Sequence, residues 1–187
     1  SDLDLSLGYL ARAIANNPDH VTALARFLSL VIDRKWVLPR AVMRHEDTVF
    51  FSEFSPDGQW VVTASADNTA HVWDAANGKS VGQMMTHLKT MHSAVFSPNS
   101  LQVVTASFDH TARVWEAATG NPIGEPMSHS KAVRYAEFSP DGRLIVTASW
   151  DGTAHVWDAA TGKPLGKSFL HKEEVEYATF SPHGHWV

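Results

Sequence analysis

The chain is 187 residues long, 44% hydrophobic and 19% charged, a globular balance that excludes a disordered chain. It holds no Cys, which excludes disulfide staples and Cys-ligated zinc and permits a reducing compartment, so a cytoplasmic location is expected. A net charge of -5 with scattered Lys and Arg argues against nucleic acid, and no apolar stretch reaches the roughly 18 residues that span a membrane.

The opening residues Ser1-Asp2-Leu3-Asp4 lack the basic and apolar regions of a signal peptide and lack an initiator Met, so the chain is expected to be cut from something longer. Gly8 to Ala15 reads as a helix stopped by Asn17-Pro18. Beyond the Pro18-Asp19 turn, Val21, Leu24, Phe27, Leu28 and Val31 recur at helical spacing. Residues 1–37 are therefore predicted to form an N-terminal α-helical hairpin.

From residue 38 onward the chain repeats itself. Phe-Ser-Pro occurs at Phe54, Phe96, Phe138 and Phe180, each interval being 42 residues. The same interval of 42 links His45, His87, His129 and His171, then Asp67, Asp109 and Asp151, then Trp73, Trp115 and Trp157. Four kinds of landmark in one register, with no slippage, mark a structural repeat. Within the first unit Val49 to Phe54 reads as a strand, and Ser55-Pro56-Asp57-Gly58 as a turn. Trp60 to Ser65 is a β-rich run with the composition of a strand buried on both faces. After the tight turn Ala66-Asp67-Asn68, Thr69 to Asp74 is a third strand, and after Asn77-Gly78, Ser80 to Met85 is a fourth, more polar one.

These landmarks resemble the WD-repeat signature. His45, Asp67 and Trp73-Asp74 carry the likeness, as do His129, Asp151 and Trp157-Asp158; the middle unit departs from it, with Trp115 followed by Glu116. The resemblance covers residues 38–187 and implies a mainly β fold, a partial WD40 β-propeller. Three full four-stranded antiparallel blades are expected at 45–86, 87–128 and 129–170, with part of a fourth at 171–187 and a velcro-type strand at 38–44. The hairpin is similar to the end of a tetratricopeptide array in its small residues, its Asn17-Pro18 stop and its following Ala23, and equally to a generic helix pair capping the propeller.

In this family the His precedes the first strand, the Asp sits in the second turn, a Ser or Thr is on the second strand and the Trp is on the third. A buried Trp has one N–H to satisfy. The hydroxyl of Thr63 or Ser65 can accept it and pass its own proton toward a His45 nitrogen, whose other nitrogen donates to Asp67. The second and third units offer Thr105 or Ser107 and Thr147 or Ser149, and both members of each pair have the right parity. Ser, His and Asp also fit a protease triad. The trio occurs three times at one spacing, which suits a scaffold, and no Gly-x-Ser-x-Gly elbow is present, so no catalytic residue is assigned. His183-x-His185 has a chelating spacing but falls in a turn; neither metal nor cofactor is expected. His71 and His155 are expected to be exposed on the third strand.

Function is sought where the units differ. The resemblance implies docking on the face where first strands begin, lined by two positions per blade. One lies five residues after the His, at Phe50, His92, Arg134 and Glu176; the other precedes the turn Asp, at Ala66, Phe108 and Trp150. Aromatic and Arg side chains are the usual interface anchors, so Phe50, His92, Phe108, Arg134, Trp150 and Glu176 are predicted to form a partner-binding face; tolerated variation between duplicated blades is the alternative. A non-enzymatic protein–protein interaction module follows, in the manner of the C-terminal regions of large bacterial signalling proteins. A ring must also close. Either further blades of the same longer chain close it, the preferred reading because natural ends rarely fall within a strand, or two chains do so as a homodimer. A small-ligand site at the channel mouth is the remaining alternative.

Overall fold

The computed structural model describes residues 42–187; the predicted hairpin at 1–37 and most of the strand expected at 38–44 lie outside the described residues, and Val42 to Arg44 carry no strand. Strands β1 (Val49–Phe54), β2 (Trp60–Ser65), β3 (Thr69–Asp74) and β4 (Ser80–Thr86) form the first sheet. Strands β5 (Met91–Phe96), β6 (Gln102–Ser107), β7 (Thr111–Glu116) and β8 (Pro122–Ser128) form the second. Strands β9 (Val133–Phe138), β10 (Leu144–Ser149), β11 (Thr153–Asp158) and β12 (Pro164–Leu170) form the third. Within each sheet spatial order follows chain order and every pairing is antiparallel, because short turns of positive-φ residues join successive strands.

Composition decides each strand's depth. The second strands, WVVTAS, QVVTAS and LIVTAS, are buried from their second residue to their last. The outer strands SVGQMMT and PIGEPMS expose most residues, which suits an edge facing solvent.

The cores lie between sheets rather than within them. Val62, Ala64, Ala70, Val72 and Met85 of the first sheet pack against Met91, Ala94, Phe96, Val103 and Trp115 of the second. Val104, Ala106, Val114 and Met127 of the second pack against Val133, Ala136, Phe138, Ile145 and Trp157 of the third. Register-equivalent residues measure what each neighbour covers. Phe96 is 4% exposed behind the first sheet, while its counterpart Phe54 on the leading face is 67% exposed. Met127 is fully buried against the third sheet, while its counterpart Phe169 on the trailing face is 46% exposed.

Residues 171–187 carry no strand. They nevertheless keep the repeat's register. Phe180 N–H donates to Glu137 Oε1 at 2.9 Å, as Phe96 N–H does to Glu53 Oε1 at 2.7 Å in the first pair of sheets.

At the rim the sheets are tied by backbone. Gln83 N–H on β4 donates to Thr119 O in the β7–β8 turn at 3.0 Å. The next residue, Gly120, has φ +75°, and a Cβ there would stand 2.2 Å from Gln83 O. Gly58 has a similar φ of +72° but open space around its Cβ position. Gly58→Ala is therefore expected to cost about 1–2 kcal/mol from the left-handed backbone alone, and Gly120→Ala at least twice that, because the sheets must also part. Urea unfolding of the two variants checks the difference; equal losses would mean that the rim contact is slack.

Candidate functional site

The three relays have one geometry. In the first, Trp73 Nε1–H donates to Thr63 Oγ1 at 2.8 Å, Thr63 Oγ1 lies 2.7 Å from His45 Nε2, and His45 Nδ1 lies 2.9 Å from Asp67 Oδ2. A carboxylate only accepts, so Nδ1 carries the ring proton, Nε2 accepts from the Thr hydroxyl, and that hydroxyl accepts from the indole. The same chain runs Trp115–Thr105–His87–Asp109 and Trp157–Thr147–His129–Asp151. The hydroxyl in the relay is thus the Thr of each pair. The other, Ser65, Ser107 or Ser149, accepts from the backbone N–H of the turn Asp and donates to a backbone carbonyl before the first strand.

A further Thr per unit joins the relay. Thr69, Thr111 and Thr153 each donate from Oγ1 to Oδ1 of the turn Asp at 2.5–2.6 Å. Their own interval of 42 residues was the signal for them in the sequence. Burial opposes ionisation of Asp67, but hydrogen bonds from Thr69, His45 and the backbone N–H groups of Thr69 and Glu46 outweigh it and hold the carboxyl at about 2. Burial likewise opposes ionisation of Asp109 and Asp151, and the same donor set drives both further below the ordinary carboxylate range.

His71 and His155 are half-buried, not exposed. Each ring stacks on the Trp two residues on, at 5.1 Å from Trp73 and 5.4 Å from Trp157, and meets the relay His edge-on at 4.9 and 5.0 Å. They share a sheet face with the Trp, and the rings there cover them. Burial, then the neighbouring His45, pushes the His71 pKa down.

The variable positions converge on one layer. The pairing of first and second strands skips a residue between Val49 and Phe51, between Met91 and Ser93, and between Val133 and Tyr135. The residues left out of register are Phe50, His92 and Arg134. A β-bulge re-aims its extra residue, and here His92 and Arg134 meet the turn residues Phe108 and Trp150, while Phe50 meets His92. Phe50 stacks on His92 at 5.2 Å and 15°, His92 on Phe108 at 5.8 Å and 9°, and Phe108 meets Trp150 at 5.1 Å. The Arg134 guanidinium lies 5.7 Å from the Phe108 ring centre and 5.1 Å from that of Trp150, within cation–π range. Glu176 then accepts from Arg134 Nε at 2.7 Å and from Trp150 Nε1 at 2.9 Å. Burial, then Arg134, lowers the His92 pKa.

Among the described residues no group of three or more His, Cys, Asp or Glu could hold a metal ion, and no helix is long and apolar enough to cross a membrane. His183 and His185 are exposed at a turn.

The family model described as WD domain, G-beta repeat matches residues 37–74, 78–116 and 120–158, more than half of the chain. The chain belongs to the WD-repeat family. No curated protein matches it. The second and third matches each open on the outer strand of one sheet and close on the third strand of the next, so the WD repeat of the sequence bridges two sheets of the structure. WD repeats are generally protein–protein interaction modules, and proteins built from them are typically non-enzymatic scaffolds.

Two predictions follow from the WD relay. Thr105→Val strands the buried Trp115 N–H and removes the donor to His87, so it is expected to cost roughly 2–4 kcal/mol, more than Ser107→Ala; thermal unfolding of both variants measures the order, and the reverse order would remove Thr105 from the relay. The pH dependence has a definite sign. The Asp67 carboxyl is depressed to about 2 in the folded protein from 3.8, so its contribution is complete above the unfolded value and fades as pH falls toward about 2. Asp67→Asn should be less stable than wild type at neutral pH and should show a flatter decline over that acid range in denaturant titrations.

Proposed function

We propose that this chain is a non-enzymatic interaction module that binds a protein partner through the rail formed by Phe50, His92, Phe108 and Trp150 with Arg134 beside it. One observation carries the reading. Phe50, His92, Phe108 and Trp150, which stand at positions that differ from unit to unit, meet in one stacked layer, and bulges place Phe50, His92 and Arg134. The rail also has the aromatic and Arg character of binding hot spots. The near-identity of the blades and the helical pattern read in residues 1–37 favour a place in a larger signalling protein of bacterial type, working in the cytoplasm on protein rather than on nucleic acid or membrane.

A second reading, assembly of chains into a closed ring, is favoured by the exposed Phe54 on the leading face and Phe169 and Leu170 on the trailing face. Sedimentation of the chain distinguishes it, a dimer being its signature.

The leading reading is tested on a synthetic array of C-terminally amidated heptapeptides. The 187-residue chain should retain peptides that the double variant Phe108→Ala/Trp150→Ala binds at least about tenfold more weakly, with the melting temperature of the variant unchanged. Peptides held equally by both proteins, or none held by the wild type, would overturn it.

A further inference from the structure

Glu176 stands apart from the other residues of the rail. Its carboxylate fills a fork of two donors, with Oε2 on Arg134 Nε at 2.7 Å and Oε1 on Trp150 Nε1 at 2.9 Å. The donors are rigidly mounted. Arg134 is the bulged residue of β9, its guanidinium packed against the rings of Phe108 and Trp150, and its side chain is only 21% exposed. Trp150 sits in the turn after β10, with its backbone N–H tied to Ala132 O.

The acceptor is mounted differently. The Glu176 side chain is 58% exposed, although the backbone beside it is tied by Val175 N–H to Ser149 O at 3.0 Å. The fork is therefore prebuilt and its occupant is open to solvent and to exchange. An exposed ion pair of this kind keeps itself closed by no more than about fivefold. The hydrogen bonds from Arg134 and then Trp150 lower the Glu176 pKa, which is the mark of donors selecting the ionised form.

The geometry points to a carboxylate receptor: we infer that the Arg134–Trp150 fork takes an Asp or Glu side chain of the protein partner, and that Glu176 is an internal occupant the partner displaces. This rests on the proposed partner-binding rail and names the chemistry it selects. The fork opens at the end of the aromatic stack, so the ligand is an acidic residue flanked by apolar side chains that lie along Phe108 and His92. Charge complementarity sets the class. The immobilised guanidinium supplies the positive charge, and among the described residues its hydrogen bond to Glu176 uses only Nε, so a carboxylate that replaces Glu176 can also engage the terminal nitrogens.

The test uses the tightest array peptides that require Phe108 and Trp150, each paired with a version in which Glu or Asp is replaced by Gln or Asn. The acidic version should bind the 187-residue chain about tenfold more tightly than its amide partner. Arg134→Gln should abolish that preference, and Glu176→Ala should raise affinity for the acidic version about three- to fivefold with an unchanged melting temperature. If acidic and amide versions bind alike, or if Glu176→Ala weakens the acidic version, the carboxylate receptor is overturned while the rail stands. If binding is indifferent to Phe108→Ala/Trp150→Ala, the rail and the receptor fall together.

Discussion

One buried indole N–H per sheet sets the terms for the rest of the molecule. The Trp of the third strand supplies much of the apolar bulk between sheets, as Trp115 and Trp157 do in the two cores. Its single polar atom must be satisfied in a place water does not reach. The Thr hydroxyl that accepts it needs an acceptor for its own proton, the imidazole that provides one needs a carboxylate for its other nitrogen, and the carboxylate is kept ionised by further donors. The chain of obligations runs from the buried third strand to the turn and to the segment ahead of the first strand. It fastens the outer strand of one sheet to the first strand of the next at the His. A half-built relay would be worse than none, which accounts for four residue types locked at one interval of 42 residues.

Because the scaffold is so fully specified, the remaining positions are free to differ, and the bulges make that freedom useful. A residue left out of the antiparallel register makes no ladder commitment and no core commitment. Placing it at the start of the innermost strand in every unit yields a set of side chains that can change without disturbing the relay. Phe50, His92 and Arg134 share no chemistry with one another, yet they occupy one layer, because the backbone irregularity and not the side chain decides where they point.

The fold was legible in the sequence because alternation, turn residues and the repeat agree. The first three strand boundaries read from the first unit coincide with those of β1, β2 and β3, and β4 runs one residue beyond the end read for it. The choice between Thr63 and Ser65 was not legible, since residues two apart share a face. It is set by register: Val61 pairs with Trp73, which puts Thr63 on the diagonal within reach of the indole and Ser65 two residues too far. His71 was misread as exposed for a related reason. Polarity alone says outward, but two residues along the same face stands Trp73 and across it His45, and two aromatic rings close over a third. The stacking of the rail was invisible as well, because contacts such as Phe50 with His92 join different sheets and depend on a spacing that no single unit encodes.

That the rail crosses from sheet to sheet has an energetic consequence. Phe50 belongs to the first sheet, His92 and Phe108 to the second, Arg134 and Trp150 to the third, and Glu176 to the stretch beyond. In a repeat array each sheet is stabilised chiefly by its neighbours, so the stability of the structure rests on the packing between sheets. A ligand laid along the rail spans that packing. Since it binds only the assembled stack, it stabilises the array as a whole by mass action. The buried cores and relays hold the sheets together, and the rail laid across them is free to vary, so recognition and stability are carried by different residues of one array.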